Sequence, residues 1–232
     1  MSLRPSRGFR VIEVVLFVAA LLVAGLVVLA LLWSGRGPYE DLARANGVDR
    51  TTLIAHVPGG GTYGTDRNGL VAIHERWSTY VTGGVADPPR FEPVPLFTDD
   101  EYQHMADVRH VFDVAKFLIP VALLVIIIRL QRARARDARE MWRLIRDGDL
   151  VAAGLVSLIG VIAVVAFEPL FLAFHYLFFP QGNFLFDPAT SNLVRIYPDW
   201  YWEGITLRVG LSFIGFALAL AAVSAARLAR AK

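Results

Sequence analysis

Two histidines from distant stretches of chain, His104 and His175, are the side chains best suited to move a proton. His104 lies in Asp99-Asp100-Glu101-Tyr102-Gln103-His104-Met105-Ala106-Asp107-Val108, and Asp107 at i+3 can hold one imidazole nitrogen and fix its tautomer. His175 lies in Phe174-His175-Tyr176-Leu177-Phe178-Phe179, which runs on into Pro180-Gln181-Gly182-Asn183-Phe184-Leu185-Phe186-Asp187-Pro188, so an imidazole, an amide, a carboxylate and several aromatics gather in one segment. Glu168 precedes His175 by seven residues, about two helical turns down the same face, where it can orient or charge a proton relay across the helix that Pro169 loosens. A neutral imidazole can take a proton from an attacking nucleophile and a second can return one to a leaving group; the residues leave open which is base and which is acid. The chain has no cysteine, so a thiolate acyl-enzyme, a disulfide and a cysteine-ligated metal are all excluded. His104, Asp107, His110 and His175 are ligand types, but no His-Glu-x-x-His is present, and no metal and no cofactor are expected.

The elements that must carry these residues are membrane helices. Hydrophobic residues make up 55% of the 232 and charged ones 19%, and mean hydropathy is +0.48, more apolar than a soluble domain of this size needs. A spanning helix takes about 20 apolar residues, and four segments qualify, roughly 11–33, 110–128, 150–179 and 205–226. The expected fold is an all-α membrane protein, one domain over 1–232, with a mainly helical extracytoplasmic insertion, 34–108, between the first and second spans. The first apolar core, Val14 to Trp33, is too long and lacks the small-residue cleavage pattern for a signal peptide. Arginines and lysine cluster before the first span (Arg4, Arg7, Arg10), between the second and third (Arg129 to Arg146) and after the fourth (Arg227, Arg230, Lys232). Such clusters stay in the cytoplasm, which puts both termini and 129–149 inside and the acidic insertion and 180–204 outside. The net charge of +2 is thereby explained by topology and anionic headgroups, and nucleic acid is not expected as a partner.

That topology brings His104, one to two turns before the second span, and His175, near the outward end of the third, to one leaflet. Glu13, near the cytoplasmic end of the first span, reads as an interfacial charge that can reach headgroup water or pair with Arg10. In the insertion, 39–43 and 49–54 suggest short helices, the second with Asp49 as N-cap, and the Gly-rich 58–69 reads as loop without the Gly-Lys-Ser of a phosphate cradle. Leu70, Ile73, Trp77 and Val81 have the spacing of an amphipathic helix, with His74 on its more polar side. Donors for an oxyanion are available in Arg195, the preferred one, in Arg109, in Asn183 and in the main chain of the Gly182 turn.

Three blocks carry a family resemblance: His104-Met105-Ala106-Asp107-Val108 before the second span, Phe174 to Phe179 closing the third, and Gly182-Asn183-Phe184-Leu185-Phe186-Asp187-Pro188 followed by Leu193-Val194-Arg195-Ile196-Tyr197-Pro198-Asp199-Trp200. In these the chain resembles the lipoprotein intramolecular transacylase family; Phe184 stands where a tryptophan is expected and Ser191 where an acidic residue is common. The resemblance implies an enzyme of the bacterial cell envelope, in the cytoplasmic membrane with its active site at the extracytoplasmic face. The implied reaction moves the sn-2 acyl chain of a diacylglyceryl-modified N-terminal cysteine onto that cysteine's own α-amine, giving the lyso-form lipoprotein. Its partners would be diacylglyceryl-lipoproteins and membrane lipid, with His104 and His175 catalytic, Asp107, Arg195, Arg109, Asn183 and Glu168 orienting or stabilising the oxyanion, and Phe179, Gly182, Phe184, Asp187 and Tyr197 at the substrate. Two other readings fit the residues: another membrane lipid acyltransferase or hydrolase using the same His pair, and a non-catalytic four-helix membrane interaction protein.

Overall fold

A computed structural model describes residues 7–230. Arg4 and Lys232 of the topology argument lie outside the described residues. Ten elements follow in order: α1 (Arg7–Trp33), α2 (Arg36–Ala45), β1 (Arg50–Ile54), β2 (Thr62–Asp66), α3 (Arg67–Val81), α4 (Asp99–Arg136), α5 (Ala138–Val165), α6 (Phe167–Phe178), α7 (Asn192–Ile196) and α8 (Asp199–Arg230). Four of these helices, α1, α4, α5 and α8, are long and apolar enough to cross a membrane. Their side chains include Phe117, 71% exposed, Val164, 79%, and Phe216, 72%, a pattern that suits hydrocarbon as solvent.

Where the sequence reading takes the chain as one domain, its contacts divide into two compact units. The first comprises 1–30, 115–162 and 207–232. It packs by small residues: Ala20, Ala24 and Ala122 form one buried group, and Ala152, Ala153, Val156, Phe213 and Ala217 another with Val18. At Gly25 a Cβ would lie 2.6 Å from the Phe213 ring and at Gly148 2.4 Å from that of Phe17, so both positions admit only glycine without displacement. Close approach through small residues is how helices gain contact in lipid, where no hydrophobic force drives them together.

The second unit comprises 31–114 and 163–206 and holds every residue of the paired-histidine region. Its core centres on Trp77, fully buried, ringed by Tyr80, Phe91, Phe97 and Tyr102 with centroids 5.1 to 6.1 Å away. The α3 helix starts where Asp66 accepts a hydrogen bond from the Gly69 amide at 2.8 Å, and Leu70, Ile73, Trp77 and Val81 are all buried. His74 is buried as well, 2% exposed, contrary to its expected polar placement. It stacks on Tyr39 with centroids 4.2 Å apart, and its ring nitrogens meet the Tyr197 hydroxyl and the Ser34 and Gly35 carbonyls.

Three expectations about elements are corrected. Residues 49–54 are not a helix: β1 pairs antiparallel with β2, Arg50 opposite Asp66 and Ile54 opposite Thr62. The β-branched Thr51, Thr52 and Ile54 favour the extended form, and Gly59 and Gly60, both at positive φ, let the chain return. Of the stretch 58–69, residues 62–66 are strand and 67–69 open α3, so only 58–61 is loop. The third apolar run is not one helix: it breaks at Ala166, whose φ of −148° and ψ of 55° are non-helical. Pro169 thereby falls in the first turn of α6, where its missing N–H costs no helical bond. The second and fourth runs lie within longer helices than their apolar cores, and the basic 129–149 is helical apart from Asp137, whose carboxylate accepts from the Arg139 amide at 3.1 Å.

Candidate active site

The α4 helix is opened by a reciprocal cap: the Thr98 amide donates to Glu101 at 2.8 Å and the Glu101 amide to the Thr98 hydroxyl at 3.3 Å. Glu101, 1% exposed, also accepts from the Ser191 hydroxyl at 2.7 Å and the Leu193 amide at 2.8 Å, tying the start of α4 to α7. Asn192, fully buried, bridges the same neighbourhood to β1 through the Ile54 amide and carbonyl and to the Leu96 carbonyl. Neither residue was singled out from the sequence as functional. The Thr98-x-x-Glu101 spacing is the signal that was present for Glu101, and nothing local distinguishes Asn192.

One turn further along α4 stands His104, and its ring lies parallel to that of His175, centroids 6.3 Å apart at an interplanar angle of 20°. Both are nearly buried, 9% and 7% exposed. At that separation the rings are not in direct stacking contact. The Nδ1–H of His175 donates to the Phe171 carbonyl at 2.8 Å; since a carbonyl can only accept, the neutral ring keeps its lone pair on Nε2. Phe179 packs 5.0 Å from His104 and 5.5 Å from His175. Phe184 covers His175 at 5.1 Å and Phe186 covers His104 at 5.5 Å. The expected company of the two imidazoles with Phe179 and Phe184 is therefore present in the fold.

Asp107 stands differently from its expected place. Its carboxylate accepts from Gln103 at 3.3 Å, from Gln181 at 2.9 Å and from the Asn183 side-chain amide, and it makes no hydrogen bond to His104. With its NH2 committed to Asp107, the Asn183 amide is oriented, and Asp107, Asn183 and His175 are the side chains that act electrostatically on His104. His104 Nδ1 and Asn183 Oδ1 are both buried without a hydrogen-bond partner. Gly182, at φ 79°, makes the turn that brings Asn183 back to α4.

Other predicted residues lie elsewhere. Arg195 donates to the carbonyls of Pro188, Thr52 and Ala189, and Arg109 to those of Tyr80, Val85 and Ala86 while lying over the Tyr80 ring. Both guanidiniums hold backbone carbonyls, Arg195 those of β1 and the 188–189 turn and Arg109 those of the end of α3 and the chain after it. Asp187 caps a turn by accepting from the Ala189 amide at 2.8 Å. Tyr197 belongs to the His74 aromatic group, and Glu168 sits in the first turn of α6, where Phe171 rather than the carboxylate holds His175. Phe186 forms one wall of an open cleft with Ile54, His56, Thr98, Asp100 and Ser191. Among the described residues no group of three potential metal-ligating side chains is present.

The fold defines a multi-pass helical membrane protein. The sequence model of the lipoprotein intramolecular transacylase Lit matches residues 62–202, more than half of the chain, and the chain belongs to that family, an acyltransferase family. Solved structures of the membrane-integral Lit from Bacillus cereus share the fold: one is 12% identical with a TM-score of 0.70, covering 97% of this chain and 98% of the other. Two variants of that protein, with a histidine replaced by arginine or by alanine, align at TM-scores of 0.65 and 0.67 with 13% and 12% identity, covering 97% of this chain and 94% and 97% of theirs. No curated protein matches the chain.

Proposed function

We propose that the chain transfers the sn-2 acyl group of a diacylglyceryl-modified lipoprotein cysteine to that cysteine's α-amine. The observation that carries the reading is the pair of nearly buried, parallel imidazoles, 6.3 Å apart, with one tautomer fixed by a backbone carbonyl. The amine nitrogen attacks the ester carbonyl carbon, His175 Nε2 takes an amine proton, the C–O bond to glycerol breaks, and the pair returns one proton to the departing oxygen. Charge and protons balance over the cycle without a nucleophilic side chain. Because amine and ester belong to one molecule, the protein's main task is alignment, for which effective molarities of about 10⁵ M and above are attainable.

His104 lies opposite, with Asn183 and Asp107 as positioning residues. Asp107 holds the Asn183 amide so that its oxygen is free for the His104 Nδ1–H. The side-chain amides of Gln181 and Asn183 each give an N–H to Asp107 and have a second N–H to offer an oxyanion, whereas Arg195 and Arg109 are turned to backbone carbonyls of other segments. Phe179, Phe184 and Phe186 wall the acyl ester, and the cleft bordered by Phe186 and Asp100 receives the polar peptide. The site faces the extracytoplasmic side, both termini the cytoplasm.

Mass spectrometry of lipoprotein N-termini in bacteria expressing the wild type, His104→Ala or His175→Ala tests the reading. The wild type is expected to produce N-acylated lyso-form and each variant to lose at least 100-fold, roughly the lower end of acid–base contributions. Free fatty acid without N-acylation would indicate a hydrolase instead, and full activity in both variants would remove the histidines from the chemistry.

A further inference from the structure

Phe186 has two neighbourhoods. Its ring covers His104 at 5.5 Å, and the same residue lines an open cleft of about 470 Å³ together with His56, Thr98, Asp100, Glu101 and Thr190. One aromatic residue therefore separates the imidazole pair from the cleft, and all of these side chains belong to the second unit. Direction along α4 orders the two places: the apolar run begins near 110, and Asp100 stands one turn further from it than His104 does. A molecule with its acyl chains in hydrocarbon and its reacting carbonyl at the imidazoles leads its polar part toward water in that same direction.

The cleft is polar and carries one sign of charge. Its lining includes two carboxylates and no lysine or arginine. Glu101 is committed within the fold, to the Thr98 and Leu193 amides and the Ser191 hydroxyl, whereas Asp100 is exposed. At the rim, Asp187 holds the Ala189 amide and Arg195 the Ala189 carbonyl, one charge of each sign. His56 is fixed through its own amide, which donates to the Pro95 carbonyl at 2.9 Å, yet its imidazole Nε2 is buried without a hydrogen-bond partner. An unsatisfied polar atom of this kind is costly until a bound group meets it. A concave surface with an excess of one sign concentrates the opposite charge and rejects its own.

We propose that this cleft reads the second to fourth residues of the bound lipoprotein by charge, accepting neutral and cationic side chains and rejecting acidic ones, with Asp100 as the residue that sets the preference. The proposal rests on the acyl-transfer reading and specifies its substrate. Each extended residue covers about 3.3–3.6 Å, so a chain leaving the imidazoles passes the Phe186 ring within about two residues. The cysteine's own α-amine stays at the imidazoles, outside the preference.

The test uses the purified full chain in neutral detergent and three synthetic diacylglyceryl lipopeptides that differ only in carrying serine, lysine or glutamate at positions two to four. N-acylated product is followed by mass spectrometry. The wild type is expected to convert the lysine peptide with a kcat/KM about tenfold or more above that of the glutamate peptide, a ratio within the range of one close charge contact, with the difference mainly in KM and shrinking as salt is raised. Asp100→Lys should invert the lysine-to-glutamate ratio and Asp100→Asn should bring it near one; Asp100 is exposed in the first turn of α4, so neither variant loses a core contact. Equal conversion of the lysine and glutamate peptides by the wild type, or a ratio unchanged in Asp100→Lys, would overturn the proposal while leaving acyl transfer intact. No N-acylated product from any of the three peptides would overturn the acyl-transfer reading instead; native mass spectrometry then decides the cleft by itself, retention of the lysine peptide over the glutamate peptide sustaining it and equal retention sinking it.

Discussion

The Asn183 amide has two ends with different duties, and the difference is testable. Its NH2 is engaged by Asp107, leaving its oxygen buried and unpartnered near an equally unpartnered His104 Nδ1. Asn183→Asp places two carboxylates together and repels one of them, so we expect the lyso-form product to fall about 10–100-fold, the loss typical of an orienting partner. Asp107→Asn frees the amide to flip and should cost a similar factor, with the thermal midpoint nearly unchanged; a large midpoint loss with normal turnover per folded molecule would make Asp107 structural only. The histidine pair itself was legible in sequence, because two imidazoles flanking apolar runs must share a neighbourhood if the runs pack. For Asp107, helix spacing shows that the imidazole at i−3 is within reach but not which other donors compete for the carboxylate. The competing donors, Gln181 and Asn183, come from a loop more than seventy residues away.

His74 makes a second residue-level expectation. Burial pushes its pKa down to about 4 from 6.5, against the pull of the Gly35 and Ser34 carbonyls and Glu75. Between those two values the unfolded chain takes up a proton that the folded chain refuses. Stability is therefore full above about pH 6.5 and falls as pH drops toward 4, by up to about 1.4 kcal/mol per pH unit from this group. Unfolding midpoints at pH 7 and pH 5 should show the loss, and His74→Asn should flatten that part of the dependence. A slope unchanged in the variant would assign it to other groups.

At the scale of elements, the first unit depends on two glycines and the second on a cap. Gly148→Ala and Gly25→Ala push a methyl into Phe17 and Phe213, and each is expected to cost about 1–3 kcal/mol as overpacking, read as a lowered unfolding midpoint in detergent. Glu101→Gln keeps the shape of the cap but lowers the charge that holds the Thr98 and Leu193 amides and the Ser191 hydroxyl. Charge-assisted bonds of this kind contribute about 1.5–3 kcal/mol each to charged groups, so a clear drop in midpoint is expected, with Ser191→Ala losing less. The long apolar helices were legible because twenty-odd apolar residues admit little else. The β1–β2 pair was not, because five residues with a plausible N-cap suit a short helix locally, and only Asn192, far along the chain, supplies the partner for the Ile54 backbone.

At the scale of the whole molecule, arginine placement predicts that both termini and the basic connection near Asp137 lie on one side of the membrane. The chain has no cysteine, so a single cysteine introduced at Gly59 or Asp137 reports its side with no background. A membrane-impermeant thiol reagent applied to intact cells should label the former and spare the latter; the reverse pattern would invert the topology and move the proposed site to the cytoplasm.

The interruption at Ala166 gives the chain a clutch. Two regular helices meeting at a non-helical residue need not keep a common rotational phase, so one residue inserted within 163–166 can be taken up at the joint while α6 retains its own orientation. The same insertion between Phe171 and His175 would swing the imidazole by about 100° and separate it from the carbonyl that sets its tautomer. Length changes should therefore be tolerated on one side of Phe167 and ruinous on the other.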